Sequence, residues 1–156
     1  MVSLPPFQRL LDAHALDVHR FLVALVGRDD ADDVYQETWL AALRAYPRLR
    51  DAANLRSWLL TIAHRKAIDL LRARRRAAVP VSEVPEMPAS PPDLHDEDLW
   101  GRVAQLPSKQ RAAVALRYVA DAPYAEISAV MGTSEEAARR NVHEGLKTLR
   151  MEVKDD

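Results

Sequence analysis

Five prolines, at positions 80, 85, 88, 91 and 92, fall close together in the middle of the chain, mixed with Glu83, Glu86 and Asp93 and with no lysine or arginine. Each proline removes a backbone donor and disfavours the helical conformation in the residue before it, so no helix runs through this stretch. The segment also has too few large apolar side chains to build a core of its own. On either side the sequence is rich in Ala, Leu and Arg at helical spacing, and the 156-residue chain holds only four glycines. These features predict an all-α protein of two small helical domains, residues 5–76 and 97–152, joined by an extended acidic connector over 77–96.

Charge follows the same division. The formal net charge is −1, yet residues 40–78 carry ten Arg or Lys against two Asp or Glu, and residues 79–98 carry six acidic groups and no basic one. An argument from the total would miss both segments. The basic excess centres on NLRSWLLTIAHRKAIDLLRARRR, residues 54–76, where Asp69 is the only acidic side chain. Leu55, Leu59, Ile62, Ala63, Ala67, Leu70 and Leu71 give this helix a broad apolar side. Thr61, His64, Arg65, Arg72 and Arg75 line the opposite side, with Ile68 among them and Trp58 at the boundary. Mutual repulsion along that face calls for a polyanion, and a nucleic acid supplies one.

Ahead of this helix the pattern predicts one from Phe7 to Val26, ended by Gly27. A second follows the acidic cluster Asp29, Asp30 and Asp32, which suits a helix N-terminus, and stops before Pro47. On a helical wheel of the second, Val34, Thr38, Ala41, Ala42, Ala45 and Tyr46 share the inward side, with Trp39 and Leu43 at its margin. Leu40 falls among Asp33, Gln36 and Glu37 on the polar side. A leucine there has no core to enter, and an apolar centre with a polar rim fits a protein contact. Beyond the connector, helices are expected over 99–106, from Ser108 to Tyr118, from Tyr124 to Met131, and from about residue 134 to Arg150. The last two flank Gly132 with the spacing of a helix-turn-helix, and Thr133 with Glu136 matches a capping box. Ala138, Val142, Leu146 and Leu149 form the inward stripe of the final helix, whereas Glu136, Arg140, His143, Lys147 and Arg150 face outward.

The sequence offers little to catalysis. It has no cysteine, its histidines at 14, 19, 64, 95 and 143 show no metal-ligand spacing, and it has no glycine-rich phosphate loop. The aspartates at 29–33 read as helix-start residues rather than metal ligands, so no enzyme activity, cofactor or metal is expected. Absence of cysteine fits a reducing compartment, and neither a secretory signal nor a membrane-spanning run is present, which predicts a cytoplasmic protein without membrane insertion.

In order along the chain, these motifs resemble the extracytoplasmic-function group of bacterial RNA polymerase sigma factors, in the sigma-70 family. ADDVYQETWLAALRAY, residues 31–46, is similar to the sigma-2 helix that docks on the clamp helices of the polymerase β′ subunit. Residues 54–76 resemble the helix that reads the −10 promoter element. LPSKQRAAVALRYVADAPYAEISAVMGTSEEAARRNVHEGLKTLR, residues 106–150, resembles the sigma-4 helix-turn-helix that reads the −35 element. The resemblance implies core-polymerase contact by Asp33, Gln36, Glu37 and Leu40, and −10 contact by Asn54, Trp58, Arg65, Arg72, Arg75 and Arg76. It implies −35 contact by Ser134, Glu136, Arg139, Arg140, His143 and Lys147, and a pocket for a flipped base in the loop at 47–54. It further implies as partners core polymerase (β′ clamp helices and β flap), promoter DNA and an anti-sigma factor, with the acidic connector following the polymerase's RNA path.

Two features depart from the group's pattern. Arg65 stands where the −10 helix usually carries asparagine, and the reading helix carries Glu136 and Glu144, with Asn141 in place of a frequent arginine. Carboxylates repel phosphates, although a glutamate can accept a hydrogen bond from cytosine, and Glu136 can pair with Arg140 one turn on. Two other readings remain at this level: a stand-alone helix-turn-helix regulator, and a sigma-like interaction protein with weakened promoter recognition. Oppositely charged segments on a flexible connector also allow the two domains to close on each other.

Overall fold

The computed structural model describes residues 3–77 and 95–154, so most of the connector lies outside the described residues. The described chain is helical throughout: α1 (Phe7–Val26), α2 (Arg28–Ala45), α3 (Leu55–Ala77), α4 (His95–Val103), α5 (Ser108–Tyr118), α6 (Tyr124–Met131) and α7 (Glu135–Lys154), with one 3-10 turn at Tyr46–Arg48. Helices α1 to α3 pack on one another to form the first bundle, and α5 to α7 form the second with α4 against α7.

The breaks between helices follow from single residues. Gly27 adopts φ 86° and ψ 166°, a conformation closed to side-chain-bearing residues, and its amide closes the last turn of α1 on the Val23 carbonyl. It lets α2 start at once, with Asp29 and Asp30 in the first turn, where the helix dipole favours negative charge. Pro47 limits α2, and the Asp51 carboxylate accepts from the Ala53 amide to turn the chain into α3. In the first bundle Leu10, Val18, Phe21, Leu22, Val34, Leu59 and Leu60 are buried. An aromatic row seals its end: Phe7 meets the edges of Trp39 at 5.8 Å and Tyr46 at 5.2 Å, and Tyr46 leans on Trp58 at 6.1 Å. The Tyr46 hydroxyl donates to the Pro5 carbonyl, which fixes the segment leading into α1. Thr38 is buried and spends its hydroxyl on the Val34 carbonyl at 2.7 Å.

In the second bundle Gly132 sits at φ 67° and ψ 37°, and its amide and that of Thr133 both point to the Ser128 carbonyl. The cap of α7 is Ser134, whose hydroxyl accepts from the Ala137 amide at 3.0 Å. The expected Thr133–Glu136 capping box is therefore replaced by a cap one residue later, because the Thr133 amide is already used to end α6. Gly145 is buried on α7, where a Cβ would lie 2.7 Å from Val114 Cγ2. Val114 is buried and β-branched, with little rotamer freedom inside α5. Gly145→Val is expected to cost roughly 2–3 kcal/mol through overpacking, read as a lowered midpoint in urea at unchanged slope.

The two bundles are docked on each other. One continuous buried cluster runs from α1, α2 and α3 into α5, α6 and α7, and a smaller one joins Val103, Leu106, Val114 and Leu149. α6 lies along α3, and α5 lies against α1, where Arg111 donates to the Leu25 carbonyl at 3.0 Å and to the Leu106 carbonyl at 3.1 Å.

Candidate nucleic-acid and partner interfaces

The outward face of α2 is set by the burial of its opposite side. With Ala31, Val34, Thr38, Trp39 and Ala42 facing the core, Asp33, Gln36, Glu37 and Leu40 emerge together and exposed. Leu40 is 52% exposed and Leu43, one turn on, is 51% exposed. The sequence placed Leu43 at the margin of the core; it instead extends the apolar centre of this patch. Asp30 and Asp32 hold the helix in place, the first through an ion pair with Arg74 of α3 and the second through His19 of α1 at 3.2 Å.

Along α3 the six residues predicted to meet nucleic acid divide by environment. Arg65, Arg72, Arg75 and Arg76 are exposed, the last three within the final two turns of α3. Asn54 is exposed at the start of the helix, where its carbonyl accepts from the Trp58 amide at 3.0 Å. Trp58 is half-buried against Tyr46, so part of its ring is committed to packing. The basic side itself is not all open. Clefts of about 270 and 360 Å³ run along the α3–α6 seam, where His64, Ile68 and Arg72 face Met131.

On α7 Glu136, Arg140, His143 and Lys147 form one exposed stripe, with Glu144 exposed beside it. Arg139 is exposed too, but its guanidinium leans 5.1 Å over the Tyr124 ring and 3.8 Å from Glu135. Tyr124 takes Arg117 as well, at 4.7 Å, so Arg139 is tied back towards its own bundle. Ser134, predicted to touch DNA, is exposed and accepts from the Ala137 amide as the cap of α7, which leaves its O–H to donate elsewhere. The ion pair in this turn joins Glu135 to Arg139, not Glu136 to Arg140 as the sequence allowed.

His64 carries a pH dependence. Burial first, and the Arg65 guanidinium second, hold its pKa below the ordinary 6.5. The unfolded chain therefore takes up a proton that the folded chain refuses, and stability falls as pH drops below 6.5 until the folded pKa is reached. His14 is lowered in the same direction, mainly by burial, and adds to the loss. His64→Gln is expected to flatten the fall in chemical-denaturation stability on the acid side of pH 6.5, leaving the His14 share.

Residues 10–77 match the family model for Sigma-70 region 2, and residues 96–149 match that for Sigma-70, region 4. The chain belongs to the sigma-70 family. Within it the relatives are RNA polymerase sigma factors, among them SigX of Bacillus subtilis, an extracytoplasmic-function factor 26% identical across 92% of this chain and 81% of its own length. The sigma factor CarQ of Myxococcus xanthus is 32% identical across 92% of this chain and 87% of its own length. SigV of Bacillus subtilis is 29% identical across 90% of this chain and 86% of its own. The fold is shared with RpoE of Bartonella quintana, solved with the anti-sigma factor NepR, at a TM-score of 0.79 and 24% identity over 96% of this chain and 98% of that one. CnrH, solved with the cytosolic domain of CnrY, superposes at a TM-score of 0.75 with 21% identity over 96% of this chain and 88% of its own. This sigma factor is thus an alternative factor that directs transcription initiation by RNA polymerase, and the two bundles are its region 2 and region 4 folds. Among the described residues no helix is long and apolar enough to cross a membrane, and no group of three or more His, Asp or Glu could hold a metal ion.

Proposed function

We propose that this sigma factor docks on core polymerase through the α2 patch, grips the −10 strand with α3 and reads the −35 element with α7. The observation that carries this assignment is the separation of the three surfaces. An apolar centre at Leu40 and Leu43 with the rim Asp33, Gln36 and Glu37 suits a helical protein partner. The exposed guanidiniums of Arg65, Arg72, Arg75 and Arg76, with Asn54 and half of Trp58 at the helix start, suit phosphates and an unstacked base. Arg140, His143 and Lys147 follow one stripe of the second helix of a helix-turn-helix, the geometry of major-groove reading. Arg139 and Ser134, on the same exposed end, also stabilise that helix. Residues 5–76 and 97–152 act as the two functional units, and the chain works in the cytoplasm, where polymerase and chromosome are. The relatives RpoE and CnrH are found with partner proteins, which supports control of this factor by an anti-sigma factor as well.

Reconstitution tests the reading. Purified factor added to bacterial core polymerase is expected to co-elute with it and to start transcripts at a defined set of sites on genomic DNA. Duplex binding by the chain alone, with no co-elution, would overturn it in favour of a stand-alone regulator.

A further inference from the structure

The C-terminal bundle rests on the helix assigned to the −10 strand, and one of its polar contacts has the form of an anion site. One oxygen of the Glu126 carboxylate, on α6, accepts from the Ser57 hydroxyl at 2.8 Å, and the other lies 3.2 Å from Nε of Arg56. Those two atoms, Glu126 Oε1 and Arg56 Nε, are both shut off from solvent and are not aligned for a hydrogen bond, so this half of the contact is an ion pair only. The Arg56 guanidinium also donates to the Ala120 carbonyl and comes within 3.6 Å of Asp17 on α1, while His14 of α1 lies in the field of Asp17, Arg56 and Glu126. Arg56 and Ser57 occupy the first turn of α3, directly beside Asn54 and Trp58. A guanidinium and a hydroxyl at the start of a 23-residue helix are the donors a phosphate group takes. Here a carboxylate from the other half of the same chain stands where that phosphate would.

We propose that Arg56 and Ser57 form a phosphate-binding site for the −10 strand, and that Glu126 occupies it in the free factor, so that region 4 and DNA compete for α3. The inference rests on the reading of α3 as the −10 helix. Two consequences follow from the geometry. DNA contact at Arg56 and Ser57 requires α6 to leave, because Glu126 covers both, and His64 and Ile68 further along α3 also face Met131 across the seam. The α2 patch stays exposed in the closed form, so polymerase can engage the factor before it opens. Asp17, on the same bundle as Arg56, keeps the guanidinium oriented when Glu126 departs.

The test uses the full chain. Since it has no cysteine, single cysteines placed at Leu16 of α1 and Tyr118 of α5, both exposed, carry a donor–acceptor dye pair that reports separation of the bundles. A labelled single-stranded DNA of mixed sequence is titrated in parallel. Glu126→Gln keeps the size of the side chain and removes its charge; it is expected to lower energy transfer and tighten DNA binding by about tenfold, as the open fraction rises. Adding Ser57→Ala or Arg56→Ala to Glu126→Gln is expected to remove most of that gain while transfer stays low. If Glu126→Gln changes neither transfer nor affinity, the latch is wrong. If transfer falls and affinity does not rise, Arg56 and Ser57 are not a phosphate site. Failure of the sigma reading itself would show separately, as absent binding of the unmodified chain to core polymerase.

Discussion

Arginine in place of Leu40 is expected to remove binding to core polymerase without disturbing the fold. Leu40 is 52% exposed and stands beside Leu43 at 51%, with Asp33, Gln36 and Glu37 around them, so the substitution disturbs no packing in the free chain. At the interface it would bury a guanidinium where the partner offers apolar surface. An apolar anchor at the centre of a helix-sized contact is worth about 2 kcal/mol or more, which is at least about thirtyfold in affinity. Fluorescence titration of labelled factor with core polymerase measures it, and urea denaturation of the same variant is expected to move by no more than about 0.5 kcal/mol. Leu43→Arg should act in the same direction by a smaller amount, being one turn away from the acidic rim. Equal polymerase affinity for Leu40→Arg and the natural chain would remove α2 from the interface.

That patch was legible in the sequence because helical periodicity alone puts Leu40 among polar residues. Helix limits were legible for a similar reason: Gly27, Pro47 and Gly132 act locally, and each ends a helix in the structure where its chemistry demands. Trp39 sat at the margin of the wheel and is buried, since a large ring reaches the core when Phe7 and Tyr35 lie ready to receive its faces and edges. The cap of α7 was misjudged by one residue. Thr133 and Ser134 are both good caps, and only the path of the chain out of α6 decides that Thr133 gives its amide to Ser128. The charge pattern allowed the two domains to close, but the particular contacts between the bundles were not legible. Ser57 and Glu126 are 69 residues apart, and neither stands out from its surroundings. Gly145 reads as a weak point in a helix until Val114 is seen pressed against it. The basic run of α3 likewise looked uniform, yet its arginines have different tasks: Arg56 faces α6, Arg74 pairs with Asp30, and Arg65, Arg72, Arg75 and Arg76 are turned outward.

That division makes the second large effect specific. Alanine at Arg65, Arg72 and Arg75 together is expected to weaken binding of single-stranded −10 DNA by the polymerase-bound factor by roughly two to three orders of magnitude, at about 1–1.5 kcal/mol for each charge-assisted contact. Each lost phosphate contact also releases fewer counterions, so the slope of log affinity against log salt should fall by about two in magnitude, near 0.7 per contact on a single strand. Polymerase binding should be unaffected, because the α2 patch lies on a different helix. Arg74→Ala supplies the contrast within the same cluster. Its guanidinium is held by Asp30, so its loss should reduce stability slightly and leave the salt slope unchanged. A cluster acting only as a diffuse positive field would show equal slopes for Arg74→Ala and for any single member of the outward set. Unequal slopes, smallest for Arg74→Ala with its guanidinium on Asp30, would mean that α3 grips the strand through particular phosphates.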